Sequence, residues 1–197
     1  MSLPPESATI TLTARAILFD MDGTLVDSTA VVEQVWGEFA ARYGLDIAEI
    51  LRTSHGVQAG DTVRRFAPAG SDVSLPADAV ALVTSADRIL ADIRMEAAGL
   101  AMPGTAVTAE LVTRGKPHPE GYLRAAELLG VDPADAVIFE DAPAGIAAGL
   151  AAGIRTIAVG PNTGEVPDGV LRLSDYTSVT ASVAADGEGR RVISLSL

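Results

Sequence analysis

The chain contains no cysteine, which excludes disulfide bonds, thiolate metal ligands and a cysteine nucleophile. It also lacks any apolar run near the ~18 residues that a membrane-spanning helix needs. The N-terminus does not combine a basic stretch with an apolar block, so we expect no signal peptide and a cytoplasmic location. A length of 197 residues predicts one domain, or one domain with a small insert.

Positive charge is scarce. Lysine and arginine together number 14 against 26 acidic residues, which gives a formal net charge of −12. Such a chain repels nucleic-acid backbones and anionic lipids, so we expect neither as a partner. Lysine occurs once, at Lys116, although arginine occurs at 13 positions. Lysine carries a compact point charge, whereas the charge of arginine is spread over a planar group, so Lys116 is a candidate for a special role. The alternative is that its position is due to chance.

Short apolar runs alternate with helical patterns, which predicts an α/β fold with a Rossmann-like parallel sheet and helices on both faces. Residues 28–75 are predicted to form a small helical insert after the first strand. The predicted strands cover 16–19, 79–84, 137–139 and 156–159, with a short strand near Val107 and a further edge strand at Val192–Ile193. The predicted helices cover 31–43, 46–56 and 59–66 in the insert and 89–98, 119–129 and 143–152 in the core.

Polar residues stand where three predicted strands end. Asp20, Thr84 and Asp141 each follow a buried apolar run. In open α/β sheets the ligand crevice lies at the carboxyl ends of the strands. The sequence therefore predicts that three separate segments direct short polar groups to one place.

The first of these segments is Asp20-Met21-Asp22-Gly23-Thr24. Two carboxylates two residues apart can divide the work, one attacking as a nucleophile and the other handling protons. Gly23 permits the sharp turn that such a loop needs. The alternative is a plain Asx-turn, which the same residue types also form.

The second and third segments could hold an anion. Thr84 and Ser85 follow a strand and are predicted to open a helix, where a hydroxyl and free amides form an anion site. A simple helix N-cap is the alternative. Lys116 lies between prolines in Arg114-Gly115-Lys116-Pro117-His118-Pro119, a stiff loop that would deliver the ammonium group to a fixed place. The alternative is a solvated loop lysine.

The fourth segment is Glu140-Asp141, beside Ala142-Pro143. Facing Asp20, this pair would complete an all-oxygen site suited to Mg²⁺, which prefers hard oxygen ligands. The alternative is that Asp141 only caps the following helix.

Together these segments resemble the haloacid dehalogenase superfamily of phosphotransferases. The motifs DMDGTLVDS, VTSA, RGKPHPEGY and VIFEDAPAGIAAGLAAG occur in the order of that family, over about residues 14–30 and 78–160. The wording of the last two motifs is similar to sugar-phosphate and polyol-phosphate phosphatases, including 2-deoxyglucose-6-phosphate and glycerol-phosphate phosphatases. β-Phosphoglucomutase shares the same motifs.

The resemblance implies a role for each core residue. Asp20 would attack phosphorus and form an aspartyl-phosphate, and Asp22 would act as general acid and then general base. Mg²⁺ would be held by Asp20, the Asp22 carbonyl and Asp141, with Glu140 binding or orienting the metal shell. Thr84, the Ser85 amide and Lys116 would hold the transferring phosphoryl oxygens. The implied activity is a phosphomonoesterase acting on a small phosphorylated substrate.

The resemblance also implies a division into a core of residues 14–27 and 76–197 and a cap of residues 28–75. In this family the cap covers the crevice, and His55 and Gly56 match a cap position that faces the substrate. The alternative for His55 is a histidine at a helix terminus or on the surface. Other polar cap candidates are Arg52, Gln58, Arg64 and Arg65, and we expect the last two on a solvated helix face. The cap is shorter than in relatives, which predicts looser specificity and a monomer or weak homodimer.

Three alternatives remain at this stage. A sugar phosphomutase would share the core motifs and release an isomerised sugar phosphate, but it would need a cap that excludes water, which the short cap disfavours. A phospho-acceptor signalling domain also combines aspartate, hydroxyl, lysine and Mg²⁺, but it would carry its acidic pair at the first strand. A catalytically idle interaction module is supported only by the short cap.

Overall fold

A six-stranded parallel sheet forms the centre of the structure, a computed structural model that describes residues 9–26 and 75–197. The spatial order of its strands is β4-β3-β2-β5-β6-β7. The strands in chain order are β1 (Thr11–Ala14), β2 (Ala16–Phe19), β3 (Val80–Val83), β4 (Thr105–Val107), β5 (Ala136–Glu140), β6 (Arg155–Val159), β7 (Leu171–Leu173), β8 (Thr180–Ala185) and β9 (Arg191–Ser196).

Helices cover both faces of this sheet, as predicted. They are α1 (Arg88–Ala97), α2 (Glu120–Leu129) and α3 (Pro143–Ala151), with 3₁₀ turns at Ala77–Ala79, Ala109–Leu111 and Pro133–Asp135. Met95 of α1 packs in one apolar cluster, whereas Tyr122 of α2 and Ala148 of α3 pack in a second. Alternate residues of β2 supply the two clusters, because successive side chains of a strand point to opposite faces.

The central strands β2 and β5 are buried along their whole length. A continuous apolar run of this kind is typical of a parallel strand that is covered on both faces. Phe19 lies opposite Phe139 in the register, and their rings stack at 5.3 Å between centroids. This register brings the ends of β2 and β5, and therefore Asp20 and Glu140, to the same edge of the sheet.

A separate three-stranded antiparallel sheet has the order β1-β9-β8. The prediction of an edge strand at Val192–Ile193 is therefore wrong in its placement, because β9 is the middle strand of this second sheet. Ile193 and Leu195 are buried while their neighbours are partly exposed, the period-two pattern of a half-buried strand. The pairing strand β1 was not predicted, since it precedes the first strong apolar run.

The predicted insert helices 31–43, 46–56 and 59–66 lie outside the described residues. Within the described ranges, no helix has the length and apolar character that a membrane crossing requires.

Candidate active site

The first polar loop leaves the sheet at the end of β2. The Asp20 amide still donates to a backbone carbonyl of β5 at 3.1 Å, which fixes Asp20 at the sheet edge. The Val26 amide then donates to the Met21 carbonyl at 2.8 Å and closes a tight turn. Gly23 in this turn has a φ of +83°, and a Cβ there would lie 2.1 Å from Asp141 Oδ2. Gly23 is therefore required both by the backbone and by the close approach of Asp141.

Lys116 connects the acidic groups of the site. Its ammonium donates to a carboxylate oxygen of Asp20, to Glu140 Oε1 at 2.7 Å and to the Val83 carbonyl at 3.1 Å. These three acceptors use all three donors of the ammonium group. Only 12% of the side chain is exposed, so the alternative of a solvated loop lysine is wrong. Although burial opposes the charge, the carboxylates of Asp20 and Glu140 raise the pKa of Lys116 well above its usual value.

Glu140 is fully enclosed and has partners on both carboxylate oxygens. Besides Lys116, Oε1 accepts from the Tyr122 hydroxyl at 3.1 Å, and Oε2 accepts from the Ala142 amide at 2.8 Å. The Lys116 ammonium also lies 5.1 Å from the centroid of the Tyr122 ring, within cation–π range. Glu140 and the Tyr122 ring therefore fix the position of the Lys116 ammonium.

The loop that carries Lys116 is tied together by Glu120, at the start of α2. The Glu120 carboxylate accepts hydrogen bonds from the Thr113 amide at 2.6 Å and the Arg114 amide at 3.1 Å. The Thr113 amide contributes most to lowering the pKa of Glu120. At the same turn, His118 Nδ1 accepts from the Glu120 amide at 3.2 Å. These bonds across the loop restrict where Lys116 can reach.

Three carboxylates meet at the sheet edge. Asp20, Glu140 and Asp141 each place one oxygen within 4.8 Å of the others, and all three residues are buried. Burial, reinforced by the charge of Glu140, raises the pKa of Asp141 to about 7. Burial also raises the pKa of Asp20, with Lys116 opposing and the other two carboxylates adding to the rise. Asp20 and Asp141 therefore resist ionisation chiefly because they are buried, and the neighbouring carboxylates add to this resistance.

A divalent cation fits this donor set. Three carboxylates and one ammonium group leave two net negative charges when all are ionised, which one Mg²⁺ would neutralise. The donors are hard oxygens, as Mg²⁺ prefers. Both oxygens of Glu140 are already engaged, which leaves Asp20 and Asp141 as the more available ligands.

Asp141 does not cap α3, the alternative considered from the sequence. The N-cap residue of that helix is Ala142, which makes no side-chain capping bond. Asp141 Oδ1 instead accepts from the Thr24 hydroxyl at 3.4 Å. The carboxylate therefore belongs to the loop after β2 rather than to its own helix.

Thr84 and Ser85 stand at the end of β3, but they do not open a helix. The helix α1 begins at Arg88, and its N-cap is Asp87, whose side chain accepts from the Leu90 amide at 2.8 Å. The predicted placement of Thr84 and Ser85 at a helix N-terminus is therefore wrong, and so is the alternative that Thr84 is a plain N-cap. Its buried hydroxyl accepts from the Ala86 amide at 3.0 Å and closes a turn. Thr84 and Ser85 line a cavity of about 200 Å³ together with Lys116.

Asp22 turns toward α1. Arg94 Nη1 donates to Asp22 Oδ2 at 2.5 Å, and the two side chains are 19% and 32% exposed. The site residues that sequence reasoning missed are Arg94, Tyr122 and Glu120. Tyr122 carried a signal, a tyrosine on the buried face of a predicted helix, because a buried tyrosine hydroxyl usually finds a partner. The cap candidates His55 and Gly56 lie outside the described residues.

The profile of the haloacid dehalogenase-like hydrolase family matches residues 14–73 and 75–153. A solved structure of a HAD family hydrolase from Deinococcus radiodurans, with bound phosphate and sodium, is similar with a TM-score of 0.61 and 26% identity. The match covers 81% of this chain and 90% of that one.

Two curated relatives are phosphatases by name. Hexitol phosphatase A from Escherichia coli is 38% identical over 210 residues, which covers 87% of this chain and 97% of that protein. Glycerol-1-phosphate phosphohydrolase 2 from Saccharomyces cerevisiae is 32% identical over 190 residues, 76% of each chain. These matches confirm the predicted fold class and the predicted enzyme class, and the chain belongs, as a phosphatase, to the haloacid dehalogenase-like hydrolase family.

Proposed function

We propose that this enzyme is an Mg²⁺-dependent phosphomonoesterase that hydrolyses small sugar or polyol phosphates through an aspartyl-phosphate on Asp20. One observation carries the proposal: the buried cluster in which Lys116 pairs with Asp20 and Glu140 while Asp141 lies alongside. Two relatives are named for hexitol and glycerol-1-phosphate substrates, so polyol phosphates are the first class to test.

The metal would be held by the carboxylates of Asp20 and Asp141 and by the Asp22 carbonyl, with Glu140 orienting the shell. When bound, Mg²⁺ would neutralise charge on the phosphoryl oxygens and so reduce their repulsion of an attacking carboxylate. Lys116 donates to Asp20 and would supply further positive charge beside the phosphoryl oxygens.

In the first half-reaction, an Asp20 carboxylate oxygen attacks phosphorus in line with the leaving alkoxide. A new bond forms between the Asp20 oxygen and phosphorus, and the bond between phosphorus and the substrate oxygen breaks. Asp22 gives its proton to the departing oxygen, so an alcohol leaves and Asp22 remains as the carboxylate.

In the second half-reaction, Asp22 takes a proton from water as that water attacks phosphorus. The bond between phosphorus and Asp20 breaks, inorganic phosphate leaves and Asp20 regains its carboxylate. Thr84, the Ser85 amide and Lys116 hold the equatorial oxygens in both halves, where charge builds up in the transition state.

The division into a core of residues 14–27 and 76–197 and a cap of residues 28–75 is part of the proposal. The cap would cover the crevice, with His55 and Gly56 facing the substrate. A cytoplasmic location and a monomeric or weakly dimeric state complete it. An His55→Ala variant should change the ranking of substrates while leaving hydrolysis of p-nitrophenyl phosphate intact. An unchanged ranking would remove His55 from the substrate site.

The test is phosphate release from a panel of hexitol, glycerol and sugar phosphates, with Mg²⁺ and then with chelator. We expect release that needs Mg²⁺ and is highest with polyol phosphates, because the site lacks its own charge balance without a cation. Thermal unfolding with and without Mg²⁺ gives a readout independent of turnover, since a ligand bound by the folded state raises the midpoint.

The test variant is Asp141→Asn, and Asp186→Asn is its matched control. The first removes a proposed metal ligand and should raise the Mg²⁺ concentration needed for half-maximal rate. The second lies in the turn between β8 and β9 and should not change that concentration. Equal release with chelator would overturn the metal-dependent mechanism. Appearance of an isomerised sugar phosphate in place of free phosphate would identify a phosphomutase instead.

A further inference from the structure

An arginine from α1 holds one of the two aspartates in the first loop. Arg94 and Asp22 are 72 positions apart in the chain, yet Arg94 Nη1 lies 2.5 Å from Asp22 Oδ2. Both side chains are mostly buried, at 19% and 32% exposed. A charge-assisted hydrogen bond in such a place constrains geometry more than an exposed ion pair does.

The helix presents Arg94 from a fixed position. Ala91 and Met95 on the same helix are buried in the apolar cluster against the sheet. Asp87 caps the helix through the Leu90 amide. A group on a packed and capped helix keeps its orientation better than one on a loop. Arg94 is therefore suited to fixing the direction of the Asp22 carboxylate.

The two oxygens of Asp22 have different surroundings. Oδ2 carries the contact with Arg94. Oδ1 is buried and has no hydrogen-bond partner within residues 9–26 and 75–197. A side chain that gives and takes a proton needs one oxygen within reach of the reacting atoms and a way of staying aimed at them. The anchored oxygen meets the second need, and the uncommitted oxygen stays available for the first.

We propose that Arg94 is a positioning residue that anchors Asp22 at Oδ2 and so leaves Oδ1 to exchange the proton. Oδ1 gives its proton to the leaving alkoxide in the first half-reaction and takes one from water in the second. Arg94 keeps its own protons throughout. The inference rests on the proposed function and extends it to a residue outside the motifs that Asp20, Asp22, Lys116 and Asp141 define.

The first test compares Arg94→Met with Arg88→Met. Arg88 is a matched control, because it lies on the same helix and pairs with Asp92 at 2.9 Å, but 55% of it is exposed. With a polyol phosphate and Mg²⁺, Arg94→Met should lower kcat about 10- to 100-fold, the scale expected for a misplaced catalytic group. KM should change less than about threefold, and Arg88→Met should stay within about twofold of the parent in both constants.

The second test separates positioning from general damage to the fold. Single-turnover rates of phosphoenzyme formation are measured with a polyol phosphate and with p-nitrophenyl phosphate, whose leaving group needs no proton. Arg94→Met should slow the first reaction at least about tenfold more than the second, because only an alkoxide needs Asp22 as an acid. In an Asp22→Asn background the same change should alter the rate less than about twofold, since the two residues act as one unit.

Arg94→Lys keeps a cation that can reach Oδ2 and should recover part of the lost rate. If circular dichroism shows that Arg94→Met does not fold, Arg94→Lys becomes the test variant. Equal slowing of both substrates, full additivity with Asp22→Asn, or parent-like rates in Arg94→Met would each overturn the positioning role while the parent remains an active phosphatase. A parent enzyme that releases no phosphate from any substrate overturns the proposed function, and the inference with it.

Discussion

The carboxyl edge of the six-stranded sheet and the turn between β8 and β9 both hold clusters of charge, but in different surroundings. At the sheet edge, Lys116 is 12% exposed and Glu140 is 1% exposed. At the turn, Arg190 and Glu188 are 55% and 69% exposed. Burying charges costs solvation free energy comparable to the attraction of the ion pair, whereas exposed pairs cost and contribute little. We therefore attribute the buried arrangement at the sheet edge to the proposed chemistry rather than to stability.

Aspartates in the two regions shift their pKa values in opposite directions. Burial and the neighbouring Glu140 raise the pKa of Asp141 to about 7. Hydrogen bonds, led by the one from the Arg190 amide, lower the pKa of Asp186 to about 2. An aspartate is therefore buried beside another carboxylate in one region and surrounded by hydrogen-bond donors in the other. The difference between the regions can be tested by substitution.

Asp20→Asn is expected to have the largest effect. Turnover of polyol phosphate should fall about 10⁴-fold or more, because an amide cannot serve as the nucleophile. The unfolding midpoint at pH 7 should stay equal or rise, because the folded state disfavours the Asp20 charge. Steady-state kinetics and thermal unfolding measure the two effects. A stable variant with more than a tenth of the parent rate would contradict the nucleophile assignment.

Lys116→Met should abolish phosphatase activity and lower the free energy of unfolding. It leaves Asp20 and Glu140 buried without their cation, and breaking a buried pair in this way costs about 3 kcal/mol. Urea unfolding measures the loss. Arg190→Met on the β8–β9 turn is the control and should lower the midpoint far less. Similar losses in both variants would mean that burial does not separate the two regions.

Gly145→Ala should damage the site through its support. A Cβ at this position would lie 1.6 Å from Glu140 Oε1, so the carboxylate that holds Lys116 must move. We expect a loss of about 1–3 kcal/mol in stability, the usual scale for overpacking, together with a large fall in kcat. Gly187→Ala, which has open space around its Cβ, is the control. Parent-like kinetics in Gly145→Ala would show that the position of Glu140 does not matter.

Asp186→Asn should have the smallest effect and a defined pH dependence. The folded pKa of Asp186 is depressed to about 2, so its contribution to stability is present above the unfolded pKa and lost as the pH falls toward 2. The variant should be slightly less stable than the parent at pH 7, and the gap should narrow between pH 4 and pH 2. Unfolding midpoints across that range measure it. A gap that stays constant, or a change in turnover at pH 7, would contradict the assignment.

The sequence was most informative where local pattern and tertiary position agree. The apolar runs that form β2 and β5 have the length of buried strands, and the polar residues that follow such strands share one edge of the sheet. The single lysine stood out by composition. These features predicted that Asp20, Glu140 and Asp141 lie together, and the resemblance to the haloacid dehalogenase superfamily added Lys116 to them.

Features that depend on distant partners could not be predicted in the same way. Nothing near Arg94 in the sequence indicates that it reaches Asp22, because that contact depends on where α1 packs. The second sheet pairs β1 with β9, which lie near opposite ends of the chain. Nearby residues therefore do not indicate which strand pairs with which. The predicted range 89–98 lies within one residue of α1, but the prediction that Thr84 and Ser85 open this helix is wrong. Thr84, Ser85 and Asp87 are all good N-cap residues, and only packing decides among them.

We propose that the buried cluster makes Asp20 a nucleophile toward phosphorus. It is tested most directly by trapping the enzyme with borohydride during turnover of a polyol phosphate, since borohydride reduces an aspartyl-phosphate to homoserine. Peptide mass spectrometry then locates the product. We predict homoserine at position 20, formed only with both substrate and Mg²⁺ and absent from Asp20→Asn. Rapid phosphate release with no modification at position 20, or with homoserine at another aspartate, would contradict the account.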